Sequence, residues 1–348
     1  MSGGVDSSVA AVLLAEAGHE VVGCTLRLWG GESDSGCCSA ADVDDARRVA
    51  QVLGVPHHVF NLAEEFQAHV VGPYVDDHAR GATPNPCIAC NRTIKFDALT
   101  SRAERLGFDV VATGHHARTT EGPGGFELRR GADRAKDQSY VLGFLRGAAL
   151  ARILLPIGTM TKAEVRRRAA SLGLRTAGKP DSQEVCFIPR GARGAFVASR
   201  TTLTEAAVVE LSTGERIGTV RAAQLVTVGQ RRGIGHGPDG QPRFVARVDV
   251  ASHTVVVGRR DEVAIESLEL DVGTLQWART PAEAGATMLV QTSAHGAPAP
   301  ATLDGGRIVF GVPVRPVAAG QLAVFYDVAD PDLVLGAATV AGPVHAFA

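Results

Sequence analysis

The chain has 348 residues, is 45% hydrophobic and carries a formal net charge of −2. That length allows two or three domains with a sizeable core, and six cysteines in so large a chain exclude a disulfide-stapled mini-protein. The near-neutral charge does not advertise nucleic-acid binding, although the arginine clusters Arg129-Arg130, Arg166–Arg168, Arg231-Arg232 and Arg259-Arg260 permit a polyanion partner; no apolar run is long enough to span a membrane, and no leader is read ahead of the first helix, so a cytoplasmic protein is expected.

The chain opens with MSGGVDSSVA. Ser2, Gly3 and Gly4 carry little side-chain bulk, so their backbone can approach a ligand closely. A helix is predicted over Ser7–Glu16, and its N-terminus, with free N–H donors and partial positive charge, suits phosphate. The Ser2, Ser7 and Ser8 hydroxyls add donors, and Asp6 can cap the helix or hold a metal ion. No lysine follows the glycines, so this is not the Gly-Lys-Ser/Thr loop of the common nucleoside-triphosphatases.

Strand and helix then alternate. Strands are predicted over Glu20–Leu28, His57–Asn61 and Val110–Thr113, and helices over Ala41–Leu53, Glu64–Arg80, Arg92–Leu106 and Thr161–Leu172. Thr161 and Glu164 have the spacing of a capping box. This order predicts an α/β fold with a doubly wound parallel sheet, ligands sitting at the carboxyl ends of the strands.

Beyond about Arg200 the helical period fades into short β-branched runs between glycine turns. Hairpins are predicted from Val208–Leu211 with Arg216–Val220, and from Arg243–Val250 with Thr254–Val257. Further strands are read at Thr287–Gln291, Arg307–Phe310, Leu322–Tyr326 and Ala337–Val340, while His295–Leu303 reads as a loop entering a strand. The division expected is a catalytic domain over 1–200, a small linking domain over 201–262 and a C-terminal β-barrel over 263–348.

Several motifs carry chemistry. In TPNPCIACNRTIKF (Thr83–Phe96) two prolines keep the approach extended, so Asn85 and Pro86 are not expected to start a helix. The helix is expected from near Asn91, with Cys87 and Cys90 at its N-terminal end, where a thiol tends towards thiolate. The Cys-x-x-Cys spacing favours chemistry or metal over packing. In GKPDSQEVCFIP (Gly178–Pro189), Lys179 is a candidate to lower the pKa of the Cys186 thiol, and the apolar neighbours Val185 and Phe187 to raise it. Cys24 is expected in the core, and Cys37 with Cys38 are weighed as partners of Cys87 and Cys90 in a zinc site. The run Lys136, Asp137, Gln138 and Ser139 is either a solvated turn or a sugar-phosphate contact. ATGHHAR (Ala112–Arg118) ends a strand where a nucleotide contact is expected, with His115 and His116 structural or contacting. VGQRRGIG (Val228–Gly235) is a glycine-rich basic loop able to touch RNA phosphate. Of the 35 basic residues only four are lysines, namely Lys95, Lys136, Lys162 and Lys179, and their retention points to a use for lysine in the first half.

SGGVDS resembles the loop of the ATP pyrophosphatases, the adenine nucleotide hydrolase-like enzymes that split ATP between its α and β phosphates. The whole set, from MSGGVDSSVA through GCCS, TPNPCIACNRTIKF, ATGHHAR, KDQSYVL, KPDSQEVCFIP and TVGQRRGIG, resembles the bacterial tRNA-specific 2-thiouridylase family nearly end to end. The resemblance implies ATP-dependent sulfur insertion at C2 of the wobble uridine in the tRNAs for Lys, Glu and Gln. It implies that Met1, Ser2, Gly3, Gly4, Val5, Asp6 and Ser7 hold ATP, with Mg²⁺, and that Leu26 and Gly114 line the adenosine site. It implies contact of Asn85, Pro86 and Cys87 with the target base, and of Lys136, Asp137 and Gln138 with tRNA. Cys186 would carry a persulfide supplied by a cysteine desulfurase or a sulfur-relay protein, and Cys90 would release the sulfur or close a disulfide with Cys186.

The chain departs from the family pattern in three places. Cys87 stands where many relatives have aspartate, so Cys87, Cys90 and Cys186 are also candidate ligands of an iron–sulfur cluster. Ser293 stands where an arginine is expected in QTSAHG. No strand precedes the first loop, so a start upstream of Met1 is expected. Two other functions stay open: an ATP pyrophosphatase ligase with an amine nucleophile, and a tRNA- or nucleotide-binding module without catalysis.

Overall fold

The computed structural model describes residues 1–28, 39–181, 185–278, 281–283 and 285–344; Cys37 and Cys38 lie outside them. The chain forms two compact units. One gathers Met1–Val71, Pro86–Arg193 and Asp332–Val334, and the other Gly72–Asn85, Gly194–Pro331 and the chain from Leu335.

In the first unit, helix α1 (Val5–Glu16) follows the opening loop directly. Strand β1 (Gly23–Arg27) pairs in parallel with β2 (His57–Asn61) around helix α2 (Ala40–Leu53). A Ser39–Asp42 capping box starts α2, and Gly54, at φ 67°, ends it in the left-handed conformation that glycine tolerates. The short β3 (Val111–Ala112) later pairs in parallel with β6 (Ile153–Leu154). The parallel sheet predicted from the alternation is thus present as two two-stranded pairs. Met1 adds to the edge of β1: its ammonium group donates to the Cys24 carbonyl, and its own carbonyl accepts from Thr25 Oγ1 at 2.7 Å. Helix α3 (Lys162–Ser171) packs on α1, burying Val5, Val9 and Val12 with Val165 and Ala169.

Between β3 and β6 the sequence reading missed a hairpin, β4 (Ala117–Gly122) with β5 (Gly125–Arg130). Two predicted helices are irregular. Ala63–Phe66 is α-helical and gives way to a π-helical turn over Gln67–Val71. The helix expected from near Asn91 starts instead at Pro86 and runs Pro86–Ala89, π-helical Cys90–Ala98 and Leu99–Arg105. Proline is tolerated as a first helical residue because its missing N–H would have had no partner in the first turn. The helix therefore starts about five residues earlier than expected, and Cys87 and Cys90 lie within it.

The second unit is β-rich. A four-stranded sheet has the order β8-β7-β10-β9, from β7 (Ala206–Glu210), β8 (Arg216–Val220), β9 (Phe244–Asp249) and β10 (Thr254–Gly258). Both predicted hairpins are there as antiparallel pairs, and β7 with β10 is parallel. Six strands then close a barrel in the order β11-β14-β13-β12-β15-β16. They are β11 (Ile265–Trp277), β12 (Thr287–Gln291), β13 (Ala299–Asp304), β14 (Arg307–Val314), β15 (Leu322–Tyr326) and β16 (Val334–Val344). Leu268, Met288, Val290, Ile308 and Phe325 fill its interior. Strand β11 was not predicted, and His295–Leu303, read as a loop entering a strand, supplies most of β13. No helix among the described residues is long and apolar enough to cross a membrane.

Candidate active site

The opening loop is shaped by two close backbone approaches. Gly3 has φ +69°, and a Cβ there would lie 2.3 Å from the Asp42 carbonyl oxygen. A Cβ on Gly114, just beyond β3, would lie 2.6 Å from the Ser7 nitrogen. Glycine is required at both. Gly4 is the extended residue before α1, and no side chain caps the helix. The first amides of α1 are therefore left as donors for an anion. Ser2 Oγ and Ser7 Oγ face each other at 3.2 Å, and Ser7 Oγ also accepts from the Ser2 amide at 3.0 Å.

Asp6 lies among cations. Its carboxylate accepts from Lys162 Nζ at 2.6 and 2.8 Å, and His116 Nε2 is 3.3 Å away. Burial pushes Asp6 up, but the hydrogen bonds and charges of His116 and Lys162 outweigh it and hold the carboxyl below its ordinary range. Lys162 is itself set by three groups: the Thr161–Glu164 capping box, the Asp133 carboxylate accepting its amide at 2.9 Å, and Asp181 3.0 Å from its ammonium. The alternation and the capping box were legible in the sequence; the reach of Lys162 to Asp6 was not.

Lys179 is engaged by the opening loop and α2. Its ammonium donates to the Gly3 carbonyl at 3.0 Å, to Asp42 and to Asp45 at 2.9 Å, so it ties the loop to α2. Burial works against its charge, but the two carboxylates raise its pKa. The chain leading to Cys186 is tethered at Asp181, which accepts from Lys136 at 2.8 Å and Arg166 at 2.8 Å as well as pairing with Lys162. Despite partial burial these cations hold Asp181 far below the ordinary carboxylate range.

The thiols have different settings. Cys90 is buried at the start of the π-helical turn, and Cys87 is half-buried one turn before it. Cys186 is half-buried beside Phe187, whose ring meets Phe66 edge-on at 5.4 Å. The Ala63–Phe66 helix packs against the Cys90–Ala98 turn, so Phe66 links the Cys186 segment to the helix that carries Cys90. Cys24 is half-buried on β1, and burial pushes its thiol up. Among the described residues no three His, Cys, Asp or Glu side chains are grouped to hold a metal ion.

The remaining predicted residues are dispersed. Leu26 is half-buried on β1 opposite Phe60. In the second unit, Thr83 ahead of Asn85 is anchored by its amide to the Ala319 carbonyl at 3.2 Å and by its carbonyl to Gln321. Asp137 is committed within its domain: it accepts from Arg130, the Gly131 and Ser139 amides and the Ser139 hydroxyl at 2.8–3.0 Å. Gln138 and His116 exchange two hydrogen bonds, at 2.8 and 2.9 Å. Lys136 is the outward member of that run. His115 is buried and bonded to Thr113 Oγ1 at 2.7 Å; burial, then the charge of Lys95, pushes its pKa well down, so it is a neutral structural imidazole. Ser293 accepts from Gln291 through its backbone carbonyl at 2.9 Å in a barrel turn.

A glycine loop feeding an uncapped helix, on an α/β unit followed by two β domains, defines a nucleotide-directed catalytic domain with β-barrel appendages. The comparisons agree: the tRNA methyl transferase HUP domain family matches residues 1–190, its PRC-barrel domain 194–259, and the aminomethyltransferase beta-barrel domain 267–340. The tRNA-specific 2-thiouridylase MnmA of Acidothermus cellulolyticus is 48% identical over 98% of this chain and 96% of its own. Those of Salinispora tropica and Mycobacterium avium are each 45% identical over 98% of this chain, covering 97% and 98% of theirs. A solved NMN synthetase from Francisella tularensis aligns over 52% of this chain and 63% of its own, with a TM-score of 0.34 and 19% identity. The chain belongs to the tRNA-specific 2-thiouridylase family.

Proposed function

We propose that this chain is an ATP-dependent tRNA sulfurtransferase that converts uridine to 2-thiouridine at the wobble position of the tRNAs for Lys, Glu and Gln. The observation that carries the reading is the joining of two chemistries in one unit. A loop of free amides, ringed by Lys162, Lys179 and His116, suits the phosphates of ATP. A second set of residues presents Cys90 and Cys186 from segments linked through Phe66. Methyl transfer, the word in the family description, needs neither.

In this reading Met1–Ser7 receive ATP, with Leu26 and Gly114 at the adenosine. The uridine O2 attacks the α-phosphorus, pyrophosphate leaves, and the base is adenylated. The amides of α1 and the ammonium of Lys162 stabilise the charge that develops on the phosphates. The terminal sulfur of a persulfide on Cys186 attacks C2 and AMP departs. The Cys90 thiolate then takes the Cys186 sulfur, breaking its bond to the transferred atom. The product is a thiocarbonyl, and the enzyme is left with a Cys90–Cys186 disulfide that an external thiol must reduce. A cysteine desulfurase or sulfur-relay protein reloads Cys186. Asn85, Pro86 and Cys87 hold the target base, and Lys136, the exposed member of the Lys136–Asp137–Gln138 run, reaches the tRNA.

Mg²⁺ would enter this site on the ATP phosphates, where it would neutralise their charge, and Asp6, which Lys162 holds through both oxygens, would be the loop carboxylate available to it. Among the described residues Cys87, Cys90 and Cys186 are not grouped as ligands of one metal ion; the persulfide route uses Cys90 and Cys186 as thiols. The division at about residues 200 and 262 belongs to the same reading, with catalysis in the first part.

The test supplies the full chain with ATP, Mg²⁺, unmodified tRNA for Glu and a persulfide donor, and analyses the nucleosides by mass spectrometry. 2-Thiouridine with matching AMP is expected. Binding of tRNA without AMP would overturn catalysis, and AMP release without 2-thiouridine in the parent, unchanged in rate by Cys186→Ser, would favour an amine-using ligase.

A further inference from the structure

The second unit holds a cavity of about 510 Å³ whose lining includes Arg231, Arg232, Arg260, Arg315 and Phe244. The four arginines come from three segments: the loop after Val228, the turn after β10, and the residue that follows β14. The loop is built to stay there. The Gly229 amide donates to the Val245 carbonyl at 2.7 Å, and the Val245 amide donates back to the Gln230 carbonyl at 2.9 Å. Gln230 Nε2 donates to the Arg232 carbonyl at 2.8 Å. Gly229 has φ +81°, and a Cβ there would lie 3.4 Å from the Pro316 carbonyl oxygen, so glycine lets the loop turn against the segment bearing Arg315.

The charge of this cavity is uncompensated. Two neighbouring arginines are neutralised: Arg243 pairs with Glu210 at 2.7 Å and Asp239 at 2.9 Å, and Arg259 with Glu262 at 2.9 Å. Arg231, Arg232, Arg260 and Arg315 make no ion pair among the described residues, and no Asp or Glu lines the cavity. Arg260 instead stands 6.0 Å from the centre of the Phe244 ring. What sets the cavity apart is convergence: four guanidiniums line one space in a chain of net charge −2, with no carboxylate among them. Like charges held together without counter-charge favour whatever anion enters between them.

We propose that this cavity is an RNA-backbone site, which takes phosphodiester groups of the tRNA on its arginines and an unstacked nucleotide against Phe244. Guanidinium forks match phosphate oxygens in pairs, and an aromatic face among them suits a nucleotide better than inorganic phosphate. The proposal rests on the reading that tRNA is the substrate.

Its test is filter binding of unmodified tRNA to the full chain across a salt series, beside thiolation kinetics. Arg260→Ala with Arg315→Ala is expected to weaken binding about 10- to 100-fold and to lower the slope of log affinity against log salt by about 2. The KM for tRNA rises and kcat holds. Arg260→Lys with Arg315→Lys keeps most of that slope, and Arg221→Ala, outside the cavity, changes nothing. Phe244→Leu weakens binding several-fold at unchanged slope. Wild-type affinity and slope in the double alanine variant, with the parent thiolating normally, would overturn the cavity alone. Equal losses in the alanine and lysine pairs would also overturn it, since packing would then explain both. A parent chain that neither binds tRNA nor forms 2-thiouridine overturns the substrate reading itself.

Discussion

Lys162 and Asp6 lie 156 residues apart in sequence, yet the lysine ammonium reaches both oxygens of the carboxylate, at 2.6 and 2.8 Å. The pair holds a cation beside the first turn of α1, where phosphate charge would have to be met. Lys162→Met removes that cation and leaves the half-buried Asp6 with His116 beside it. AMP formation is expected to fall by about 10²–10³-fold with tRNA affinity unchanged. The assay is tRNA-dependent AMP release beside filter binding, and retained AMP formation would leave the ion pair a structural role alone.

Local signals were legible in the sequence because their causes are local. The Thr161–Glu164 capping box and strand β2 lie where pattern placed them, and the glycine loop does open a helix. The π-helical turn at Cys90–Ala98 was not legible, since an α-helix shows the same run of side chains. The hairpin of β4 and β5 was hidden because Glu127 and Arg130 are buried polar residues that blur its alternation. Lys179 is read in the sequence as one candidate influence on the nearby Cys186 thiol, but its partners Gly3, Asp42 and Asp45 stand at least 134 residues away. Charge pairing over such separations is a property of the fold, and a single sequence does not display it.

His115 sets an acid limit on stability. Its folded pKa lies well below the ordinary 6.5, so the folded state keeps it neutral while the unfolded chain takes up a proton. Stability is therefore full above pH 6.5 and declines as pH falls below it, by about 1.4 kcal/mol per pH unit for the one proton involved. The depressed carboxyls of Asp6 and Asp181 act lower, below about pH 4. Urea midpoints should fall between pH 7.5 and 5.5 in the parent chain and fall less in His115→Gln. Equal slopes in the two would show that His115 does not set this limit.

Gly114→Ala tests the close approach to the loop. The added Cβ would stand 2.6 Å from the Asp6 carbonyl carbon and the Ser7 nitrogen, both backbone atoms that cannot swing aside. The loop must move, at a cost of roughly 1–3 kcal/mol. The KM for ATP is expected to rise at least 10-fold while tRNA binding holds. Wild-type ATP kinetics would mean that the loop has room the structure does not show.

Cys90 and Cys186 are separable in one experiment because the proposed chemistry gives them different products. A variant with Cys186→Ser cannot carry a persulfide, so it adenylates tRNA and releases AMP by slow hydrolysis without 2-thiouridine. With Cys90→Ser, Cys186 loads normally and its outer sulfur can attack, but no thiolate takes the inner sulfur. The tRNA then stays joined to the protein through a disulfide at C2, and a small thiol releases 2-thiouridine from it. Gel mobility with and without dithiothreitol reads the difference. A reducible tRNA adduct on the Cys90 variant, absent from the Cys186 variant, is the expected pattern. The reverse pattern would exchange the two roles. Its absence from both, with the parent active, would mean that sulfur reaches the base without a persulfide on this chain. Cys90 is buried in the π-helical turn, and Cys186 is half-buried beside Phe187, whose ring packs edge-on against Phe66. Phe66→Ala should then slow sulfur release more than AMP formation.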